Sequence, residues 1–180
     1  MPQICPSSFA APHVPLTLIV MGVSGSGKSV IGRLLAERLD GLFDDGDDYH
    51  PASNKAKMSS GTPLTDEDRW PWYDILRQRI VDMRGKTPVH VLGCSALKSA
   101  YRERLRDGDT LHEIAFVFLE GSRELIASRM ASRKGHFMPL SLLDSQLATL
   151  QPTPDLVRVS IDATPDEIVT QIIKHFDGSE

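Results

Sequence analysis

Residues Gly22-Val23-Ser24-Gly25-Ser26-Gly27-Lys28-Ser29 spell G-x-x-x-x-G-K-S, and no other run limits what this chain can fold into as severely. The apolar stretch Leu16-Thr17-Leu18-Ile19-Val20-Met21 before it reads as a buried strand, and Ser29 to Leu39 has the period of a helix. A strand, a glycine loop and a helix in that order form a phosphate-binding loop. Glycines let backbone N–H groups turn inward around phosphate oxygens, and the helix N-terminus adds its partial positive charge. Lys28 is then expected to reach the β- and γ-phosphates of a nucleoside triphosphate, with the Ser29 hydroxyl on Mg²⁺.

The rest of the chain supplies a setting for that loop. Apolar runs recur at 16–21, 42–44, 88–94, 114–119 and 156–161, separated by segments of helical period. Such alternation predicts an α/β fold, a parallel sheet with helices on both faces. Thr65 with Asp68 three residues on marks the start of a helix running to about Arg84. Thr164-Pro165-Asp166-Glu167 marks another, and Asp40-Gly41 is expected to close the first. Residues 1–15, with Pro2, Pro6, Pro12 and Pro15, lack the charged start and apolar block of a signal peptide and read as a flexible leader to a single domain over 16–180. No run approaches the ~18 apolar residues of a membrane span. A net charge of −4 gives no sign of a nucleic-acid or acidic-membrane surface. Cys5 and Cys94 are too few for a disulfide framework or zinc site, and Cys94 is expected to be a reduced, buried thiol. The expected compartment is the cytoplasm.

In a parallel sheet, ligands sit outside the carboxyl ends of the strands, so the phosphate loop, Asp44–Asp48 and Gly93–Lys98 are expected to share one cleft. Asn54-Lys55-Ala56-Lys57 lacks the Asp of a base-reading N-K-x-D and has no strand before it, which argues against a GTPase. The third strand ends Gly93-Cys94-Ser95 with no carboxylate, against a switch ATPase. The second strand ends Phe43-Asp44-Asp45-Gly46-Asp47-Asp48, and carboxylates one residue apart can divide labour. Asp45 is assigned to the metal and Asp47 to accepting the proton of an attacking substrate hydroxyl. An acidic solvated turn is the alternative, and Asp44 and Asp48 are read as solvated or structural. Arg129 and Arg133 lie one turn apart on a predicted helix over Ser122–Ser132, ahead of a Gly- and Pro-punctuated loop. Together they suggest a closing lid at about 133–140 whose cations neutralise the transferring phosphoryl group, the alternative being a solvated helix face.

These motifs resemble those of the gluconokinase family. The resemblance rests on the phosphate loop, on Asp45-Gly46-Asp47-Asp48-Tyr49-His50-Pro51, and on Lys57-Met58-Ser59-Ser60-Gly61-Thr62-Pro63-Leu64-Thr65-Asp66-Glu67-Asp68-Arg69-Trp70-Pro71-Trp72. It continues through Cys94-Ser95-Ala96-Leu97-Lys98 with Tyr101-Arg102, Arg133-Lys134-Gly135-His136-Phe137, and Gln146-Leu147-Ala148-Thr149-Leu150-Gln151-Pro152. It implies a P-loop kinase of the nucleoside-monophosphate-kinase type: a three-layer α/β/α fold with sheet order 2-3-1-4-5 and a mobile lid. It also implies ATP and Mg²⁺, phosphorylation of D-gluconate at its terminal hydroxyl to 6-phosphogluconate, and often a homodimer.

A sugar acid needs cations for its carboxylate and polar groups for its hydroxyls. Arg69, Lys98 and Arg102 are the candidate cations, with His50 and His136 as hydroxyl or phosphate contacts. Each has a plainer alternative. Arg69 could pair with Asp66, Glu67 or Asp68, Lys98 and Arg102 could face solvent, and His50 could shape a turn. Trp70 and Trp72 are read as packing residues. Shikimate kinase is the nearest rival, but its Gly-Gly-Gly turn is absent after the third strand. A non-catalytic nucleotide-binding module is the rival of another class.

Overall fold

In the computed structural model, β1 (Thr17–Met21) is buried along its whole length. A strand covered on both faces reads as a continuous apolar run, which is why Leu18-Ile19-Val20-Met21 shows no polar alternation. The structure describes residues 17–110, 112–132 and 140–178; the expected leader over 1–15 and residues 133–139 of the expected lid lie outside them. Around β1, four further strands pair in parallel: β2 (Leu42–Asp45), β3 (His90–Gly93), β4 (Ile114–Glu120) and β5 (Val157–Ser160), in the order β2-β3-β1-β4-β5. That is the predicted sheet order, with strand ends within two residues of the apolar runs.

Side chains alternate across the sheet to build two cores. Leu18, Val20, Val91, Val117 and Leu119 pack on one face with α1 (Lys28–Arg38) and α7 (Pro165–Asp177) through Ile31, Leu35, Ile168 and Ile172. Ile19, Met21, Leu92, Phe116 and Phe118 pack on the other with α3 (Asp66–Met83) and α4 (Ser99–Arg106) through Trp72, Leu76, Ile80 and Leu105. Among the described residues there are three further α-helices: α2 (Ala52–Ser59), α5 (Arg123–Ala131) and α6 (Leu140–Thr149). Among the described residues, no helix is long and apolar enough to cross a membrane.

The helix starts follow their local chemistry. Thr65 with Asp68, and Thr164 with Glu167, each form a reciprocal capping box, and Ser122 caps α5. The end of α1 differs in detail from expectation. Asp40, not Gly41, takes the left-handed conformation, at φ 50°. Gly41 is needed instead for close approach, since a Cβ there would lie 2.3 Å from the Val89 carbonyl.

Arg102 is a clear correction. Its side chain does not face a substrate or solvent; it is 2% exposed within the core. Nη1 donates to the carbonyls of Ala96 (2.9 Å) and Leu97 (3.2 Å), and Nη2 to the Gln151 carbonyl (2.6 Å) and Thr153 Oγ1 (3.1 Å). It therefore ties the loop after β3, where Ala96 is held at φ 43°, to the segment leading into β5. A buried guanidinium filling four acceptors cannot be removed cheaply, because each carbonyl left behind keeps its desolvation cost. Arg102→Ala is expected to lower unfolding stability by about 3–5 kcal/mol, read from urea denaturation. Unchanged stability with a defect confined to the acceptor substrate would restore Arg102 as a ligand.

Candidate active site

The phosphate loop joins β1 to α1 at the carboxyl end of the central strand, with its glycines in conformations closed to other residues. Gly27, at φ 99°, is the N-cap of α1 and makes no side-chain cap, so the helix N-terminus stays open toward the loop. Lys28 Nζ donates to the carbonyls of Gly22 and Val23, both at 3.1 Å, which folds the ammonium back over the loop. Ser29 Oγ donates to Asp45 Oδ2 at 2.6 Å. The same carboxylate caps the turn Gly46–Tyr49, accepting from the Asp47 backbone N–H at 3.2 Å.

The acidic strand end therefore has assigned jobs. Asp44 is structural. Arg79 Nε donates to it at 2.7 Å, Tyr49 Oη donates at 2.9 Å, and His90 Nε2 lies 2.9 Å away. Burial opposes its ionisation, but those hydrogen bonds win and hold its pKa below the ordinary value. Gly46 permits the sharp step from Asp45 to Asp47, since a Cβ there would sit 2.6 Å from the Gly93 carbonyl. The Gly46 carbonyl accepts from Trp72 Nε1 at 2.8 Å, which pins the turn to α3. Asp47 extends into the open cleft. The crowding of protein around it, then the neighbouring charge of Asp45, raises its pKa.

Among the described residues, two cavities flank the loop. The larger, of about 460 Å³, is lined by Ser24, Lys28, Asp47, His50, Arg69 and Trp72, among others. Its far wall includes Thr62, Pro63 and Leu64 from the segment between α2 and α3. The smaller, of about 250 Å³, lies on the other side between the N-termini of α1 and α7, with Gly25, Ser26, Gly27, Val30, Arg129 and Pro165 on its walls. Arg129 is fixed there by donating to the Ile161 carbonyl at 2.6 Å.

Of the predicted site residues, Lys28, Asp47, His50 and Arg69 come together around the larger cavity, and Arg129 joins Gly25–Gly27 at the smaller. Ser29 and Asp45 meet beside the loop. Arg133 and His136 lie outside the described residues. Lys98 is not part of the cavity wall. It is the N-cap residue of α4, and its Nζ donates to both Asp66 oxygens at 2.9 and 2.7 Å, with Tyr101 Oη donating to the same carboxylate. Asp68 is taken by Lys57 at 2.7 Å. Arg69, flanked by three acids in sequence, consequently makes no ion pair among the described residues and stands 6.0 Å over the Tyr101 ring.

Sequence reasoning missed Gln146, whose Oε1 accepts from the Ser24 N–H at 2.7 Å and whose Nε2 lies 3.3 Å from Ser24 Oγ. It sits on α6 and also lines the larger cavity, so it couples that helix to the phosphate loop. Nothing local signals that contact. It depends on bringing together residues 122 positions apart.

A phosphate loop on the central strand of a 2-3-1-4-5 parallel sheet, with a second cavity beside it, defines a P-loop kinase. Residues 18–153 match the AAA domain family. The chain is 47% identical over 173 residues to the gluconokinase of Gluconobacter oxydans (strain 621H), covering 92% of this chain and 94% of that protein. It is 44% identical to a probable gluconokinase of Xenopus tropicalis, over 87% of this chain and 91% of that one. The crystal structure of a gluconokinase from Sinorhizobium meliloti 1021 superposes with a TM-score of 0.81 at 42% identity, covering 92% and 95% of the two chains. Shikimate kinase from Aquifex aeolicus, at 19% identity and a TM-score of 0.58, shares the fold. This chain belongs to the gluconokinase family.

Proposed function

We propose that this protein transfers the γ-phosphoryl group of ATP to the terminal hydroxyl of D-gluconate, giving 6-phospho-D-gluconate and ADP. The observation that carries the substrate is Arg69, a guanidinium with no carboxylate partner among the described residues, in the same cavity as Lys28 and Asp47. A cation without its own anion, facing a polar cleft, suits a substrate carboxylate. Lys98 would have to leave Asp66 to do the same, so we assign it to holding the rim of the site.

ATP lies with its phosphates in Gly22–Ser29 and its base toward the smaller cavity, beside Arg129. Ser29 and Asp45 provide a hydroxyl and a carboxylate 2.6 Å apart, the few protein ligands that Mg²⁺ requires when phosphates and water complete its shell. When bound, Mg²⁺ would neutralise charge on the phosphate oxygens. Asp47 takes the proton of the attacking hydroxyl as its oxygen bonds to the γ-phosphorus and the bond to the ADP oxygen breaks. Lys28 follows the negative charge onto the transferring group. His50 contacts a substrate hydroxyl, and we assign to Arg133 and His136, outside the described residues, the roles that the family resemblance implies, a cation for the transferring group and a substrate contact. We further assign the protein to the cytoplasm, as a homodimer.

ATP consumption by the purified protein with Mg²⁺ tests this, comparing D-gluconate, other aldonates, shikimate and no acceptor. Strong stimulation by D-gluconate is expected. Turnover with another acceptor alone would discard the substrate, and tight ATP binding without acceptor-dependent turnover would favour a regulatory module.

A further inference from the structure

Asn54 is the third residue of α2 and is 2% exposed. Asparagine is a poor helix former, and a buried amide must have its hydrogen bonds supplied. Its Nδ2 lies 2.9 Å from the Asp68 carbonyl and 3.3 Å from His50 Nδ1. The first contact settles which way the amide faces, because a backbone carbonyl only accepts and the atom toward it must be the nitrogen. The second hydrogen of that amide then points at His50 Nδ1, which must accept. The proton of a neutral His50 is therefore on Nε2.

The ring has little freedom to escape this. It stacks on Trp72 with centroids 4.0 Å apart and planes 17° from parallel, and Trp72 is itself anchored to the Gly46 carbonyl. Protonating the ring would set an Nδ1–H against the Asn54 amide hydrogens, donor against donor. Burial, then the charges of Arg69 and Lys55, also pull the His50 pKa down to about 4. Asp47 Oδ1 lies 3.8 Å from His50 Nε2, across the ring from the nitrogen that faces Asn54.

That 3.8 Å is too long for a direct hydrogen bond, but a hydroxyl oxygen placed beside both groups can accept from Nε2–H and donate to the carboxylate. We propose that Asn54 is a positioning residue that holds His50 in its Nε2–H form, so that His50 and Asp47 clamp one substrate hydroxyl between a fixed donor and a fixed acceptor. The inference deepens the reading of His50 as a substrate contact and rests on it. A hydroxyl is the small group that answers both partners. A hydrogen leaves both unpaired, and an ether oxygen leaves the carboxylate without a donor.

The first test is made on the ligand-free protein with isotope-labelled histidine, using long-range proton–nitrogen correlation spectra, which distinguish the two neutral tautomers and the cation. His50 is expected as the Nε2–H tautomer throughout about pH 6 to 8, where an ordinary histidine titrates. An Nδ1–H signal, or a cation in that range, overturns the lock. The second test is kinetic. His50→Gln keeps a nitrogen donor near the Nε2 position and should hold the gluconate KM within about threefold, whereas His50→Asn and His50→Ala should raise it about tenfold or more. Asn54→Asp, which accepts from Nδ1–H and reverses the tautomer, should raise the gluconate KM similarly while the KM for ATP stays within about twofold. The correct tautomer with an unchanged gluconate KM in His50→Ala overturns the clamp by removing the substrate contact beneath it. A wrong tautomer with a raised KM overturns the lock and leaves that contact standing.

Discussion

Asp47→Asn is expected to lower kcat for gluconate phosphorylation by about 10² or more, with the Kd for ATP changed by less than about threefold. The substitution preserves shape while removing the negative charge and with it the capacity to take a proton. The Asp45 contact to the neighbouring backbone N–H at 3.2 Å involves no side-chain atom of Asp47, so the pair Ser29–Asp45 should stay in place. The environment suits the role. Crowding and the Asp45 charge make this carboxylate more basic than an ordinary aspartate, which strengthens it as a base. ATP titration and steady-state kinetics on the same preparation separate the outcomes. A full rate in the variant would reduce Asp47 to a group that positions the hydroxyl. A large loss of ATP affinity would mean that it acts on the nucleotide side of the cleft.

What the sequence revealed here depended on how far apart the cooperating residues lie. The phosphate loop is local, as are the capping boxes at Thr65 and Thr164, and all were readable because their partners are three residues or fewer away. Asp45 and Asp47 were readable as a pair because a strand end beside the loop has only one side facing the cleft. The charged residues of α3 and α4 were not. Asp66, Asp68, Arg69, Lys98 and Arg102 look interchangeable in one dimension, and their roles are decided by pairing across the fold. Asp66 takes Lys98, Asp68 takes Lys57, and Arg69 is left to face the cavity. Arg102 was misread for the same reason: it was taken as a cation for the substrate, with a solvent-facing helix position as the alternative, but the chain at Gln151–Thr153 crosses it and buries it. Asn54 appeared in the sequence only as part of a discounted N-K-x-D. Its amide gains meaning only once the fold brings the Asp68 carbonyl and His50 Nδ1 to the same nitrogen.

Lys28→Ala, unlike Asp47→Asn, should also weaken nucleotide binding, about tenfold or more, while lowering kcat by about 10³, the scale of losing a charge stabiliser in a transition state. In the structure Nζ rests on the carbonyls of Gly22 and Val23, so it is already at the loop mouth and needs only a short movement to meet a phosphate. Losing that contact also frees two carbonyls, and a thermal unfolding control is needed to separate a loosened loop from lost electrostatics. Lys28→Arg makes the distinction sharper. It keeps the charge, but a planar fork cannot occupy a point-charge position inside a tight glycine loop, so it should recover little of the rate. If Lys28→Arg restored most of kcat, net charge alone would be what the loop requires. If Lys28→Ala kept its rate and lost only affinity, Lys28 would be a ground-state anchor, and the stabilising cation would have to come from another residue, with Arg133 first in line.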